Sequence, residues 1–323
     1  MPGDVTVGVI ANPASGRDIR RLVAGASVVG NADKAGMVFR LLAGLGATGV
    51  TRVLMMPAAD GLSTTLHRHL RTAPGLPRLE ELEMDLEATA RDSVVAAERM
   101  RAAGVRAIVV LGGDGTHRVV AKVCGDTPLC ALSTGTNNAF PEMRETTVAG
   151  MAVGLVAGGR SAAVRRENAL EVVTDGAREL ALVDVAVSRE RFVGARALYR
   201  PDGIREIVVT FANPAAVGLS AIAGALHPLP RGGGRGLHVR LAPDGDPLYV
   251  PIAPGLVAPV HVAEHRVIEL GEAFALAPGT IALDGERELE RHDAPATVRL
   301  VPGPLTIDID AAMQATRTQP PRP

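Results

Sequence analysis

The stretch Ala107-Ile108-Val109-Val110-Leu111-Gly112-Gly113-Asp114-Gly115-Thr116 decides how this chain is read. Its first five residues form an unbroken apolar run, the pattern of a strand buried on both faces. A helical pattern over 116–123 follows at once. Between strand and helix stand three glycines and one acid. Glycines let the backbone pass close to a ligand and expose its N–H groups, which suits phosphate oxygens. In an open α/β sheet, ligands sit outside the carboxyl ends of the strands, where this turn falls. Asp114 is then placed to hold Mg²⁺ or to take a proton from an attacking hydroxyl. The bland alternative is a tight turn with a capping acid.

Outward from this turn, the first half of the chain alternates strands and helices. Strand patterns fall at 5–11, 50–56, 107–111 and 129–132, and helical patterns at 34–47, 86–103, 116–123 and 143–158. Such alternation predicts a Rossmann-like parallel sheet covered by helices on both faces. Beyond residue 158 the rhythm changes. Strand patterns at 169–174 and 180–187 flank Asp175-Gly176, a hairpin-type turn pair. Further short strands are predicted at 204–211, 237–241, 256–262, 267–270, 273–276, 280–283, 296–301 and 305–309, closely punctuated by Gly and Pro. The expected fold class is α/β. An N-terminal parallel-sheet domain, 1–145, precedes a C-terminal β-rich, sandwich-like domain, 146–315, and a polar, Pro-rich tail, 316–323.

Two more loops should open at the same end of the first sheet. After the strand at 129–132 come Ser133, Thr134, Gly135, Thr136, Asn137, Asn138, Ala139, Phe140 and Pro141. Their hydroxyls and amides are uncharged donors and acceptors, suited to adenine, ribose or hydroxyl groups. After the first strand come Asn12, Pro13, Ala14, Ser15, Gly16 and Arg17. Ser15 and the Gly16 amide can meet phosphate oxygens, and Arg17 or Arg20 can add charge. Three strand-end loops converging on one crevice say more than any one of them.

Composition limits the alternatives. The 323 residues are 47% hydrophobic and 21% charged, so a sizeable core can form. That core must be aliphatic, because aromatics are 2% and Trp is absent. A net charge of -1 lacks the basic excess of a nucleic-acid binder. The short Arg clusters, Arg17, Arg20 and Arg21 and then Arg165 and Arg166, read as solvated faces. Cys124 and Cys130 do not make a zinc site and read as core thiols of a reduced, cytoplasmic protein. No apolar run reaches the roughly 20 residues of a membrane span, and the N-terminus has no signal-peptide pattern. Of the eight histidines, His117 stands directly after the glycine turn. Its plain reading is a residue of the helix's first turn. His67 and His69 do not share a helical face.

Gly112-Gly113-Asp114-Gly115-Thr116 resembles the signature of the NAD kinase, diacylglycerol kinase and sphingosine kinase superfamily. The runs 11–22 and 132–141 resemble more narrowly the ATP–NAD kinase-like group encoded with acetoin catabolism, the acetoin catabolism protein X group. The resemblance covers most of the chain. It implies that Asp114 is the catalytic or metal-organising acid, and that Gly112, Gly113, Gly115 and Thr116 cradle phosphates. It further implies that Asn137 and Asn138 contact the nucleotide, with Asn12, Ser15, Gly16, Thr134, Gly135 and Thr136 beside them. The first loop resembles that of the lipid-kinase branch, and Asp284-Gly285-Glu286 resembles a lipid-kinase element whose acid, here Glu286, reaches towards the reacting hydroxyl. At 181–185 the chain departs from the NAD kinases: Val183 stands where an Asn reads the NAD ribose, while Asp184 keeps the acid beside it. The implied ligands are ATP and Mg²⁺, with NAD as acceptor. Another diol or lipid acceptor, or a nucleotide-binding regulator without turnover, are the alternatives. A homo-oligomer is implied as well.

Overall fold

The structure, a computed structural model, describes residues 4–12, 29–58, 75–135, 138–189, 201–289 and 295–314, with Leu62, Thr64, Leu66 and Leu70. Ser15, Gly16, Thr136 and Asn137 lie outside the described residues, as do Arg17, Arg20, Arg21, His67, His69 and the tail.

The first half forms β1 (Thr6–Ala11), α1 (Asn31–Ala47), β2 (Arg52–Met55), β3 (Arg78–Glu81), α2 (Ala90–Ala102), β4 (Ile108–Gly112), α3 (Asp114–Ala121), β5 (Leu129–Ser133) and α4 (Thr146–Ala157). The second half forms β6 (Val164–Val173), β7 (Arg178–Ala181), β8 (Asp184–Ser188), β9 (Ile204–Val209), α5 (Leu219–Leu226), β10 (Arg235–Ala253) and β11 (Leu256–Glu269). It closes with β12 (Ala273–Leu276), β13 (Thr280–Leu283), β14 (Glu286–Leu289), β15 (Ala296–Ile307) and α6 (Ile309–Gln314).

Two sheets result. The first runs β3-β2-β1-β4-β5-β15-β6-β7, with β12 also on β15. Its strands are parallel from β3 to β5, and β15 meets β5 in parallel at Thr306 and Leu129. Antiparallel pairing then takes over through β6 and β7. The second sheet, β11-β10-β9-β8-β13-β14, is antiparallel throughout. The α/β class with a parallel sheet and a separate antiparallel sheet is therefore as expected. The first sheet crosses residue 145, because β15 and β6 extend the ladder that β5 begins.

Apolar strands are the reason the parallel sheet is sealed on both faces. Val7, Val9, Ala11, Val109 and Leu111 pack under α1 and α4, while Ile10, Ile108 and Val110 pack under α2 and α3. Alternate residues of each strand thus feed opposite layers. The α1–α4 contact is made by small residues. A Cβ on Gly150 would fall against the backbone oxygen of Leu41, and one on Gly44 against that of Thr147. Backbone cannot step aside as a side-chain tip can, so Gly150→Ala should lower stability by about 1–3 kcal/mol. Urea unfolding should show a lower midpoint with an unchanged slope.

The strand expected at 180–187 is two strands. The chain leaves the first sheet after Ala181 and enters the second at Asp184. At the break, Leu182 and Val183 direct their N–H groups to a carboxylate, Asp284 Oδ1, at 2.9 and 2.7 Å. No helix of the described residues is long and apolar enough to cross a membrane.

Candidate functional site

Asp114 opens α3, with Gly113 as the extended residue before it. Its carboxylate accepts the backbone N–H of Phe140 at 2.8 Å and that of Ala139 at 3.1 Å. A carboxylate at a helix N-terminus also sits favourably in the helix dipole. Asp114 thus ties the glycine turn to the loop after β5. The glycines are needed for closeness. A Cβ on Gly112 would lie 2.8 Å from Thr116 Cβ, and one on Gly113 would lie 2.9 Å from Asn138 Oδ1.

The loop after β5 is braced from within. Ser133 Oγ donates to the Gly135 carbonyl at 2.7 Å, and Asn138 Nδ2 donates to Ser133 Oγ at 2.7 Å. Thr134 is buried, and its carbonyl accepts the N–H of Val29 at 3.0 Å. The loop after β1 joins the same cluster. Asn12 Nδ2 donates to Thr116 Oγ1 at 3.0 Å, and Lys34 Nζ donates to the Asn12 carbonyl at 3.0 Å. The described parts of the three predicted loops therefore meet at the carboxyl end of the parallel strands.

His117 is fully buried behind the turn. Its Nδ1 lies 2.8 Å from the Gly113 carbonyl and its Nε2 3.2 Å from that of Val110. Burial pushes the imidazole down to about 4, so the ring is neutral near pH 7 and donates to one carbonyl only. It braces α3 against β4, as its first-turn reading implies.

Opposite α3 comes the turn between β13 and β14. Asp284 sits in the left-handed region at φ +52, a conformation that Asp tolerates better than most residues. Its Oδ1 accepts the N–H groups of Leu182 and Val183, and of Asp184 at 3.4 Å. Its Oδ2 lies 3.8 Å from Arg118 Nε, and both side chains are almost wholly buried. Arg118 also donates to the Leu283 carbonyl at 3.3 Å. Burial pushes the Asp284 carboxyl up to about 7, with the nearby Asp114 charge adding to the rise and Arg118 opposing it. Asp184 answers from the other side: its Oδ1 accepts the N–H of Gly285 at 3.1 Å. It is buried, not a solvent-facing strand edge. Glu286 begins β14, half-buried.

Val183 turns its side chain into a cluster with Phe140, Ala169, Leu182 and Phe211. Beside that cluster opens a cavity of about 450 Å³, lined by Ala139, Phe211, Asn213, Leu229 and Arg231 among others. The Arg231 guanidinium lies over the rings of Phe140 and Phe211, 4.6 and 5.0 Å from their centroids. It also donates to the Phe140 carbonyl at 2.8 Å. Sequence reasoning did not pick out Lys34, Arg118, Arg231 or Asp284 itself as the inward acid. For Lys34 a signal existed: it precedes Val38, Leu41 and Leu45 on the apolar stripe of α1.

Residues 7–160 match the family model of the ATP-NAD kinase N-terminal domain, which sets the class of the first domain. Residues 168–303 match the acetoin catabolism protein X C-terminal domain. The chain is 49% identical over 300 residues to the acetoin catabolism protein X of Cupriavidus necator (strain H16), covering 88% of this chain and 84% of that one. The chain belongs to the acetoin catabolism protein X family. A solved Bacillus anthracis (strain Sterne) protein, provisionally described as a diacylglycerol kinase, superposes with a TM-score of 0.49 at 14% identity. That alignment covers 94% of this chain and 96% of the other.

Proposed function

We propose that the protein is a Mg²⁺-dependent phosphotransferase that moves a phosphoryl group from ATP to a hydroxyl acceptor, with NAD the first acceptor to test, in acetoin catabolism. The observation that carries this reading is the Asp114 carboxylate held at the start of α3, where three strand-end loops meet within a match to the ATP-NAD kinase N-terminal domain. Phosphoryl transfer asks little covalent work of a protein; positioning and charge neutralisation dominate. The backbone of 112–116 faces the donor phosphates, with Asn12 and Thr116 fixing its shape. Thr134, Gly135 and Asn138 face the nucleoside, and by the family resemblance Thr136 and Asn137 contact it too. Asp114 takes the proton of the attacking hydroxyl, and Asp184 and Glu286 orient the acceptor.

The donor set suits Mg²⁺. Such sites use one or two carboxylates and draw their other ligands from phosphates and water. Asp114 supplies a carboxylate, the hard oxygen donor that Mg²⁺ takes, at the carboxyl end of the parallel strands. Among the described residues no three His, Cys, Asp or Glu side chains converge to make an all-protein cage. Bound there, the ion would neutralise charge on the transferring phosphoryl group.

One observation favours a different acceptor. Val183 is apolar and buried, and its N–H is taken by Asp284, so this position gives a ribose nothing to bond. The cavity beside Phe211 and Arg231 could receive another diol. Purified protein with Mg²⁺-ATP should form NADP from NAD. No NADP but ATP consumption with another hydroxyl compound would move the assignment to that acceptor. Nucleotide binding without ATP consumption across a panel of acceptors would support the regulator instead.

A further inference from the structure

We infer that Lys34 is a positioning residue for the nucleotide's phosphate chain: its buried ammonium fixes Asn12, at the end of β1, against the glycine turn. This rests on the phosphotransferase reading above. Lys34 is only 1% exposed, and its helix packs on a core of Val9, Ala11, Ala35, Val38 and Leu41. Lysine is almost never so buried unless its ammonium is paired or hydrogen-bonded, because removing it from water is costly. A methionine would fill the same volume without that cost.

The place of the ammonium shows the task. Nζ meets the Asn12 carbonyl, and the Asn12 amide meets Thr116 Oγ1 on the first turn of α3. Five residues before Lys34, Val29 bonds the Thr134 carbonyl. The segment from Val29 to Lys34 therefore holds Asn12 directly, the glycine turn through Asn12, and the loop after β5 through Val29. A cation at this end of the sheet also favours an anion bound at the glycine turn, since Coulomb attraction is screened less where water is partly excluded.

Charge and titration follow. Burial pushes the Lys34 amine down to about 8. β1 and α4, which pack with α1 in one core, carry no ionisable side chain. On α1 itself Asp33 is exposed, and Arg40 pairs with Glu145 at 3.0 Å. At the same end of the sheet α3 supplies Asp114, neutral His117 and Arg118. A bound phosphate chain favours the ammonium and raises its pKa. Binding then takes up a proton at and above pH 8, and affinity falls as pH rises through about 8. With the free amine near 8, binding at pH 9 should be about tenfold weaker than at pH 7.

The test is calorimetric titration of the full chain with a non-hydrolysable ATP analogue and Mg²⁺, from pH 6.5 to 9.5, in two buffers of different ionisation enthalpy. Wild type should weaken about tenfold between pH 7 and 9 and take up a fraction of a proton near pH 8.5. Lys34→Met should bind at least tenfold more weakly at pH 7 with a flat profile above it, while its melting temperature is not lowered. Lys34→Arg, which keeps the charge but does not titrate, should flatten the profile and restore part of the affinity. Wild-type affinity and profile in Lys34→Met would overturn the inference and leave the phosphotransferase reading standing. Should Lys34→Met fail to fold, proton uptake by the wild type decides: none near pH 8.5 sinks the inference. No binding by wild type at any pH would instead bring down the phosphotransferase reading, and this inference with it.

Discussion

Asp284→Ala is expected to lower stability by about 2–5 kcal/mol, because it leaves buried backbone donors unpaired and removes the acid beside a buried guanidinium. The substitution removes the acceptor of the Leu182 and Val183 N–H groups and takes away the carboxyl group 3.8 Å from the buried Arg118 guanidinium. Those N–H groups sit where the chain steps from one sheet to the other, so neither can return to a ladder. Removing Arg118 as well should recover part of the loss: Asp284→Ala with Arg118→Met should cost less than the two single changes added. Equilibrium urea unfolding of the four proteins measures this. Additive effects would show that the 3.8 Å pair carries no coupling. The wild type should also show a pH signature. The Asp284 carboxyl titrates near 7 when folded and near 3.8 when unfolded, so the native state holds the extra proton between them. Its contribution is full below about pH 4 and is lost as pH rises through about 7. Asp284→Asn cannot titrate, so its stability should fall less between pH 5 and pH 8 than that of wild type.

Much of the parallel sheet could be read from local pattern because its strands are buried on both faces, as β1, β4 and β5 are. Edges were harder. β3 is Arg78-Leu79-Glu80-Glu81, which has no apolar run to announce a strand. It sits at the sheet edge, where Glu80 pairs with Arg52 at 2.6 Å and the side chains stay partly solvated. The patterns at 256–262 and 267–270 are one strand, β11, because pairing with β10 runs on through Arg266. The patterns at 296–301 and 305–309 likewise join in β15 across an irregularity between Pro302 and Leu305. α5 escaped notice because eight small and apolar residues among glycines and prolines carry little periodicity. The same division holds at the site. The glycine turn and Asp114 announce themselves within five residues. The contact of Asp284 with Leu182 spans 102 positions, and nothing local to either residue predicts it. Its consequence, the break between β7 and β8, therefore has no local signal, and the pattern at 180–187 reads as one continuous strand.

Substitution can separate the structural task of Asp114 from the catalytic ones proposed for it. As an acceptor it holds the loop after β5 by two N–H groups; in the proposed mechanism it also takes the proton of the attacking hydroxyl and helps to hold Mg²⁺. Asp114→Ala ends both. Leaving two backbone donors unpaired in a part-buried site should cost about 1–3 kcal/mol of stability, and phosphoryl transfer should fall further than the loss of a base alone explains. Asp114→Asn keeps one side-chain oxygen, enough to accept the N–H of Phe140 at 2.8 Å, so its stability should stay much closer to wild type. A neutral amide accepts no proton, however. Its kcat with the competent acceptor should fall by about 10²–10⁴, the usual share of general-base catalysis. Affinity for the ATP analogue should change little in Asp114→Asn and more in Asp114→Ala, where the loop is released. The informative comparison sets kcat against stability across the two variants. An Asn variant that keeps kcat within about tenfold would show that Asp114 works as a staple, with the proton going elsewhere at this end of the sheet. A low kcat in a well-folded Asn variant that still binds the Mg²⁺-ATP analogue with wild-type affinity supports residue 114 as the proton acceptor, because the fold, the metal and the donor's binding site are then all intact.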